Sequence, residues 1–106
     1  MVNRGEVRWI AGDDAAKGRP GVVMTRQAVV GQLRSVLVAP VTTRVRNLPS
    51  EVALGPEHGL PKPCVANLDN LALVDTELLG TVICELDAPT MAEMCAALAV
   101  AVGCDR

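Results

Sequence analysis

Aromatic side chains are almost absent from this sequence of 106 residues, which contains Trp9 but no Tyr and no Phe. Many proteins that bind single-stranded RNA stack its bases on several exposed rings of one β-sheet, and this chain cannot build such a surface. Half of its residues are nevertheless apolar, so its core must consist of Val, Leu, Ala, Ile and Met. We expect Trp9 to belong to the core or to a groove wall, in preference to a base-stacking role.

Histidine and closely spaced cysteines are also scarce, which excludes two further kinds of site. His58 is the only histidine, so a ribonuclease that transfers protons between two histidines is excluded. Four cysteines are present without a CxxC pair, so a structural zinc site is not expected. We interpret the cysteines mostly as small core residues of a reduced protein, and His58 as a solvated loop residue. The cysteines are Cys64, Cys84, Cys95 and Cys104.

The motifs of several large enzyme classes are missing. The chain has no Walker loop, no GxGxxG and no GxSxG. Its carboxylates show no spacing typical of a metal-dependent nuclease. The opening MVNRGEVRWI is not typical of a signal peptide, and no apolar run reaches the length of a membrane span. We therefore expect a cytoplasmic protein that needs neither a metal nor a cofactor and does not associate with membranes.

Basic residues are concentrated in the first part of the chain. Residues 1–46 contain eight basic and three acidic side chains, whereas the remainder contains two basic and nine acidic ones. The overall net charge of −2 does not reveal this uneven distribution. It favours one positive face that binds a polyanion, although charge scattered over the surface explains it equally well.

The pattern of apolar residues predicts short strands followed by one helix, in a single domain over residues 1–106. We predict six strands and expect 34–42 to be buried on both faces, since it is nearly continuous in apolar residues. This order of elements is typical of a small β-barrel or twisted sheet with a helix packed against it. The predicted strands are 7–10, 20–25, 34–42, 50–54, 64–74 and 81–86.

The closing helix has recognisable ends. Asp87 is a suitable N-cap, Pro89 falls in the first turn where proline is tolerated, and Gly103 is a plausible stop. Apolar residues follow at helical spacing, and we interpret this stripe as core or dimer packing. It consists of Met91, Met94, Cys95, Leu98, Ala101 and Val102.

Arginine, threonine and amide side chains near strand ends suit one task, which is to hold a phosphodiester and stabilise the charge that develops on it. Five segments that contain them resemble the MazF/PemK toxins in order and spacing. Their most specific pieces are the Arg-Pro step of GRPGVVMT and the Ala-Pro-Val-Thr of VLVAPVTT. The segments are RGEVRWI (4–10), GRPGVVMT (18–25), VLVAPVTT (36–43), LPSEVAL (48–54) and CVANLDNLALVD (64–75).

The resemblance covers about residues 4–100 and implies both a fold and an activity. The implied fold is mainly β with α, an SH3-like or CcdB-like β-barrel with a C-terminal helix, usually a homodimer. The implied activity is that of an mRNA interferase, a metal-independent and sequence-selective endoribonuclease. In such an enzyme the 2′-hydroxyl of single-stranded RNA attacks the adjacent phosphorus and leaves a 2′,3′-cyclic phosphate and a 5′-hydroxyl.

The resemblance also implies that Arg19 and Thr42 are the catalytic residues, with Thr43 as the alternative to Thr42. An arginine stabilises transition-state charge with its planar, permanently charged fork, whereas it is poorly suited to act as a general base. Pro20 restricts Arg19 to an extended backbone, so the guanidinium is aimed before the substrate arrives.

Further residues correspond to the family's RNA groove. Asp69 and Asn70 stand where the family more often has an acidic residue and Gln, and side chains there read base edges. Arg44 and Arg46 are suited to hold flanking phosphates, or lie on a solvated surface. Leu48 and Pro49 match a segment that lines this groove, and packing explains that match equally well. The implied RNA-binding residues are Arg44, Arg46, Leu48, Pro49, Asp69 and Asn70.

The expected partner is a cognate MazE-like antitoxin that lays a disordered, acidic tail along the positive groove. Two alternatives use the same fold without catalysis. One is a CcdB-like toxin that binds DNA gyrase, and the other is a degenerate homologue that only sequesters the antitoxin. Arg19 together with Thr42 favours the enzyme, because a gyrase binder has no need of that pair.

Overall fold

Strands form most of the regular structure in the computed structural model, which describes residues 1–11 and 18–105. The sequence GDDAAKGR (12–19) is typical of a polar loop, and its residues 12–17 lie outside the described part. The described residues form seven strands, a short helix and a long C-terminal helix. The elements are β1 Glu6–Ile10, β2 Arg19–Val23, α1 Gln27–Val30, β3 Ser35–Thr42, β4 Glu51–Leu54, β5 Cys64–Asn67, β6 Ala72–Asp75, β7 Leu79–Glu85 and α2 Ala88–Ala101.

The strands form one antiparallel sheet in the order β4-β5-β3-β2-β1-β7, and β6 is an additional partner of β3. The path ends at β4 and β7 instead of closing on itself. The predicted class, mainly β with a C-terminal helix, is thus confirmed. Five of the six predicted strands are confirmed to within two residues at each end.

The strand expected at 64–74 is instead two strands, separated by a 3-10 turn at Leu68–Asn70. The Asn67 side chain stops β5, because its Oδ1 accepts a hydrogen bond from the Asp69 N–H at 2.9 Å. The two strands then pair with different parts of β3. β5 lies opposite Val41 and Thr42, whereas β6 lies opposite residues 35–38.

The expectation that β3 is buried on both faces is confirmed for its second half and is wrong at Leu37. Leu37 is 42% exposed, and its partner across the ladder, Leu73 of β6, is 70% exposed. Val36 and Val38, on either side of Leu37 in the sequence, are almost fully buried. Ala39 and Val41, on the same face as Leu37, are buried in the core. Only the part of that face that pairs with β6 is therefore exposed, because nothing in the described chain covers Leu37 and Leu73.

Helix α2 packs one face on the sheet and ends as the sequence predicts. The Asp87 carboxylate accepts a hydrogen bond from the Thr90 N–H at 2.9 Å, and Gly103 has a φ of 75°. Met91 and Met94 are buried, but Cys95 of the same predicted stripe is exposed. Val102 of this stripe is exposed as well, so a stripe drawn from apolar character alone is too wide.

All four cysteines are unpaired, and their assignment to the core is only half right. Cys64 is buried and Cys84 is half-buried, whereas Cys95 and Cys104 are exposed. Burial raises the pKa of the Cys64 thiol and of the Cys84 thiol. Within residues 1–11 and 18–105, the structure contains no helix with the length and apolar character that a membrane span requires.

A buried carboxylate in β1 fixes the N-terminal residues. Glu6 Oε1 accepts hydrogen bonds from the Asn3 N–H at 2.8 Å and from Arg8 Nε at 2.9 Å. Arg8 also donates to the carbonyl oxygens of Met1 and Gly80, at 3.0 and 2.9 Å. Burial by itself raises the pKa of Glu6, but the hydrogen bonds from Asn3 and Arg8 and the nearby Arg8 charge outweigh it, so the pKa is lowered.

Replacing Glu6 with Gln keeps the shape and removes the charge. We expect the variant to lose about 1–2 kcal/mol of unfolding free energy at neutral pH, because charge-assisted hydrogen bonds become neutral ones. Since the folded-state pKa is lowered, the carboxylate stabilises the fold above the unfolded-state pKa. This contribution disappears as the pH falls through the folded-state value. Urea unfolding of both proteins between neutral and acidic pH measures it, and a difference that does not shrink in acid would contradict the assignment.

Candidate active site

A cleft of about 640 Å³ opens where β1, β2, β3 and β5 present their ends. Its walls come from five parts of the chain: β1, the start of β2, the end of β3 with the segment after it, the segment before β5, and the end of β5 with the 3-10 turn. The residues that carry the argument below are Trp9, Arg19, Thr42, Thr43, Arg44, Arg46, Lys62, Asn67 and Asn70.

Arg19 enters the cleft from the first position of β2. It lies opposite Ile10 in the β1–β2 ladder, and Pro20 lies opposite Trp9. Gly21 follows, and a Cβ at this position would collide with Ile10 Cδ1 and with a methyl group of the buried Val38. The close approach of β2 to its neighbours therefore requires glycine, and it holds the backbone that supports the exposed Arg19 side chain.

Thr42 enters the same cleft from the last position of β3. It pairs with Val65 of β5 and is half-buried. Its Oγ1 accepts a hydrogen bond from the Arg44 N–H at 3.1 Å. Since a hydroxyl also has one proton to donate, this contact leaves the Thr42 O–H free to donate to a ligand. Thr43 lines the cleft as well, so both threonines considered from the sequence face it.

The cleft is positively charged. Arg19, Arg44, Arg46 and Lys62 line it, and within the described part of the chain none of the lining residues is acidic. An array of guanidinium and ammonium groups without competing carboxylates favours a polyanionic ligand. In residues 1–11 and 18–105 no three His, Cys, Asp or Glu side chains cluster in a way that suits a metal ion.

Lys62 is a cleft residue that the sequence analysis missed. Its one distinguishing signal is that it is the only Lys or Arg between positions 47 and 105. It belongs to the segment before β5, which is fixed at its base because His58 Nδ1 accepts the Gly55 N–H at 3.1 Å. The His58 side chain is only 20% exposed. Its interpretation as a solvated loop residue is therefore wrong.

The two residues predicted to read bases differ in position. Asn70 lines the cleft, together with Asn67, which the sequence analysis did not single out. Asp69 is exposed but is not a lining residue, and its carboxylate accepts a hydrogen bond from the Ser50 hydroxyl. The amide side chains of the β5 end, and not the carboxylate, therefore face the cleft.

Only some of the predicted RNA-binding residues in the segment after β3 line the cleft. Arg44 and Arg46 line the cleft, whereas Leu48 and Pro49 are exposed and do not line it. Trp9 is 45% exposed and forms part of the wall. Its interpretation as a groove wall is thus confirmed, and the alternative of a core position is wrong.

The fold and the cleft define a class before any comparison is made: a small antiparallel β-protein with a cationic site for a polyanion at its strand ends. The family model for the PemK-like, MazF-like toxin of type II toxin–antitoxin systems matches residues 3–102. The chain therefore belongs to that family, as its sequence predicts.

Individual relatives agree with this assignment. The probable endoribonuclease MazF5 of Mycobacterium tuberculosis is 40% identical over 104 residues, which cover 97% of this chain and 94% of that protein. Endoribonuclease MazF3 of the same species is 40% identical over 80 residues, 73% of this chain and 78% of the relative.

Two solved structures have the same fold. The Mycobacterium tuberculosis toxin MazF-mt6 aligns with a TM-score of 0.86 at 33% identity, covering 95% of this chain and 99% of that one. An endoribonuclease from a mycobacterial species, solved in complex with its cognate antitoxin, aligns with a TM-score of 0.84 at 28% identity, covering 97% and 96%.

Gly21 offers a direct test of how the Arg19 strand is positioned. We expect Gly21→Ala to lower the unfolding free energy by about 2 kcal/mol, because the added methyl group overpacks a buried contact. Gly31→Ala is the matched control, since nothing lies within 4 Å of a Cβ at that position. Urea unfolding compares the two, and equal stabilities of the variants would contradict the close-packed β2.

Proposed function

We propose that this protein is the toxin of a type II toxin–antitoxin system, an endoribonuclease that cuts single-stranded RNA with Arg19 and Thr42 as its catalytic residues. The observation that supports the proposal most is that these two side chains, from different strands, line one cationic cleft. The names of the relatives above support the same activity. They do not favour the alternatives of a gyrase binder or of a homologue that only sequesters antitoxin.

The reaction is an internal transfer that requires no water molecule. The ribose 2′-oxygen bonds to the adjacent phosphorus, and the bond from phosphorus to the 5′-oxygen breaks. The 2′-hydroxyl loses a proton and the departing 5′-oxygen gains one, which gives a 2′,3′-cyclic phosphate and a 5′-hydroxyl. Negative charge develops on the phosphoryl oxygens between these states, so the main task of the site is to stabilise that charge.

Arg19 is suited to this task by charge and by position. Its guanidinium presents donors in a rigid fork that matches phosphoryl oxygens, and the ladder to β1 holds its backbone before any ligand binds. Thr42 supplies a second donor from β3, since the hydrogen bond that its oxygen accepts from the Arg44 N–H leaves the hydroxyl proton free. Preorganised donors of this kind contribute most when they face the charge that appears in the transition state.

The remaining cleft residues position the RNA. Arg44, Arg46 and Lys62 hold phosphates on either side of the scissile bond, and Asn67 and Asn70 offer amide groups to base edges. Three exposed residues on the adjoining segments complete the proposed RNA contacts outside the cleft. These outer contacts are Leu48, Pro49 and Asp69.

The biological context follows from the same proposal. We place one toxin domain over residues 1–106, acting as a homodimer in the cytoplasm, where four unpaired cysteines agree with a reducing environment. Its regulator is a MazE-like antitoxin, in keeping with the antitoxin complex solved for one structural relative. An acidic antitoxin segment is complementary to the cationic cleft and competes with RNA for it.

The role of Arg19 can be tested with a long RNA in the presence of EDTA. We expect the wild-type protein to make discrete cuts with 5′-hydroxyl ends, and Arg19→Ala to lower the rate by about a hundredfold or more, since one preorganised donor is lost. Arg19→Lys keeps the charge without the fork and should recover only part of this loss. Arg34→Ala, at an exposed arginine away from the cleft, serves as the control. Uncut RNA with the wild-type protein, or full activity in Arg19→Ala, would overturn the proposal.

A paired substitution distinguishes the two threonines. Thr42→Val should lower the cleavage rate by about a hundredfold because the donated hydroxyl is removed with little change of volume. Thr43→Val should stay within about threefold, and Thr42→Ser should retain most of the activity, since it keeps the hydroxyl. Single-turnover cleavage of one short RNA measures all three. The opposite ranking of the two valine variants would transfer the role to Thr43.

A further inference from the structure

The segment between β3 and β4 has two cleft cations but little packing to fix its shape. All residues from Thr43 to Pro49 are exposed, so buried apolar contacts do not determine its path. Asn47 has a φ of 57°, in the left-handed region that non-glycine residues rarely adopt. Something other than packing must therefore hold Arg44 and Arg46 at the cleft.

Glu51 forms hydrogen bonds with the end of this segment that precedes β4. Its Oε1 accepts the Arg46 N–H at 3.0 Å and the Leu48 N–H at 3.4 Å. Its own N–H donates to the Leu48 carbonyl at 3.0 Å. These three contacts surround the left-handed Asn47, and a carboxylate that accepts two amide protons is a strong local restraint.

Glu51 itself belongs to the sheet. Glu51 is the first residue of β4 and pairs with Asn67 of β5 in the antiparallel ladder. The next pairs along this ladder, Val52 with Ala66 and onward, lead into the core. The restraint therefore connects a solvated segment to the sheet, and it does so next to Asn67, a residue of the cleft wall.

The other carboxylate oxygen of Glu51 indicates that stability is not the reason for this residue. Within the described part of the chain, Oε2 is buried and has no hydrogen-bond partner. A buried, unpaired carboxylate oxygen costs free energy, and an apolar side chain at this position would avoid that cost. A glutamate at this position is explained by the hydrogen bonds that its Oε1 accepts from the Arg46 and Leu48 amides.

We propose that Glu51 is a positioning residue for RNA binding, which keeps the segment 43–49 in the turn that presents Arg44 and Arg46 to the cleft. The proposal rests on the endoribonuclease function above, since the bound polyanion is RNA. Glu51 is not a lining residue and touches no reacting atom. Its loss should therefore weaken the binding of flanking phosphates while the chemistry at Arg19 and Thr42 continues.

Steady-state kinetics on a short cleavable RNA test this inference. We expect Glu51→Ala to raise KM about tenfold, the effect of losing charge-assisted hydrogen bonds that order the two cations, with kcat within about twofold. Glu51→Gln keeps a carbonyl acceptor and should bring KM back to within about threefold of the wild type. Affinity for the same strand with a 2′-deoxy scissile nucleotide should follow KM. Glu93→Ala, an exposed glutamate of α2, is the control.

Amide hydrogen exchange gives a readout that does not depend on activity. The Arg46 and Leu48 amide protons should be protected in the wild type and in Glu51→Gln, and should exchange about tenfold faster in Glu51→Ala. If Glu51→Ala does not fold, Glu51→Asp replaces it, because a side chain one methylene shorter cannot reach both amides. It should then show the same rise in KM.

The outcomes separate this inference from the proposed function. Unchanged KM in Glu51→Ala, or a fall in kcat alone, would overturn the positioning role while leaving the nuclease in place. Protection of both amides in Glu51→Ala would overturn it as well. If the wild-type protein binds and cuts no RNA, the proposed function fails, and the exchange data still report whether Glu51 orders the segment.

Discussion

The site depends on the pairing of β3 with two neighbours at its end. Gly21 to Val23 of β2 pair with Val38 to Pro40, and the next two residues, Val41 and Thr42, pair with β5. Since β5 and β2 lie on opposite sides of β3, the antiparallel pairing of β2 with β3 is what places the start of β2 beside the end of β3. Arg19 and Thr42, far apart in sequence, share a cleft because antiparallel neighbours bring the beginning of one strand beside the end of the next.

Arg19 is held in place by a different kind of contact from Arg44 and Arg46. Arg19 is held by the β1–β2 ladder and by the glycine behind it, so its position comes from backbone packing. Arg44 and Arg46 are held by side-chain acceptors, Thr42 at one end of their segment and Glu51 at the other. The position of Arg19 therefore depends on strand pairing, whereas the positions of Arg44 and Arg46 depend on two side-chain acceptors.

Local patterns in the sequence were sufficient for most of the fold. Apolar alternation locates the strands, and Asp87 with Pro89 locates the start of α2, because capping and periodicity act over a few residues. Contacts between distant segments were not available from those patterns. The break at Asn67, the exposure of Leu37 in β3 and the acceptor role of the half-buried His58 all depend on the folded context. The cleft role of Lys62 has the same origin, since the fold brings a late loop beside an early strand.

The size of the cleft has a consequence for selectivity. Its volume of about 640 Å³ falls in the range of pockets that enclose one drug-sized molecule, roughly 300–1,000 Å³. An oligonucleotide of several units exceeds that space. On the proposed function, the cleft holds only the units nearest the broken bond, and discrimination at more distant positions comes from open, hydrated surface where salt screens each contact. A compact anionic inhibitor that fills the enclosed part would block catalysis whatever sequence the outer surface prefers.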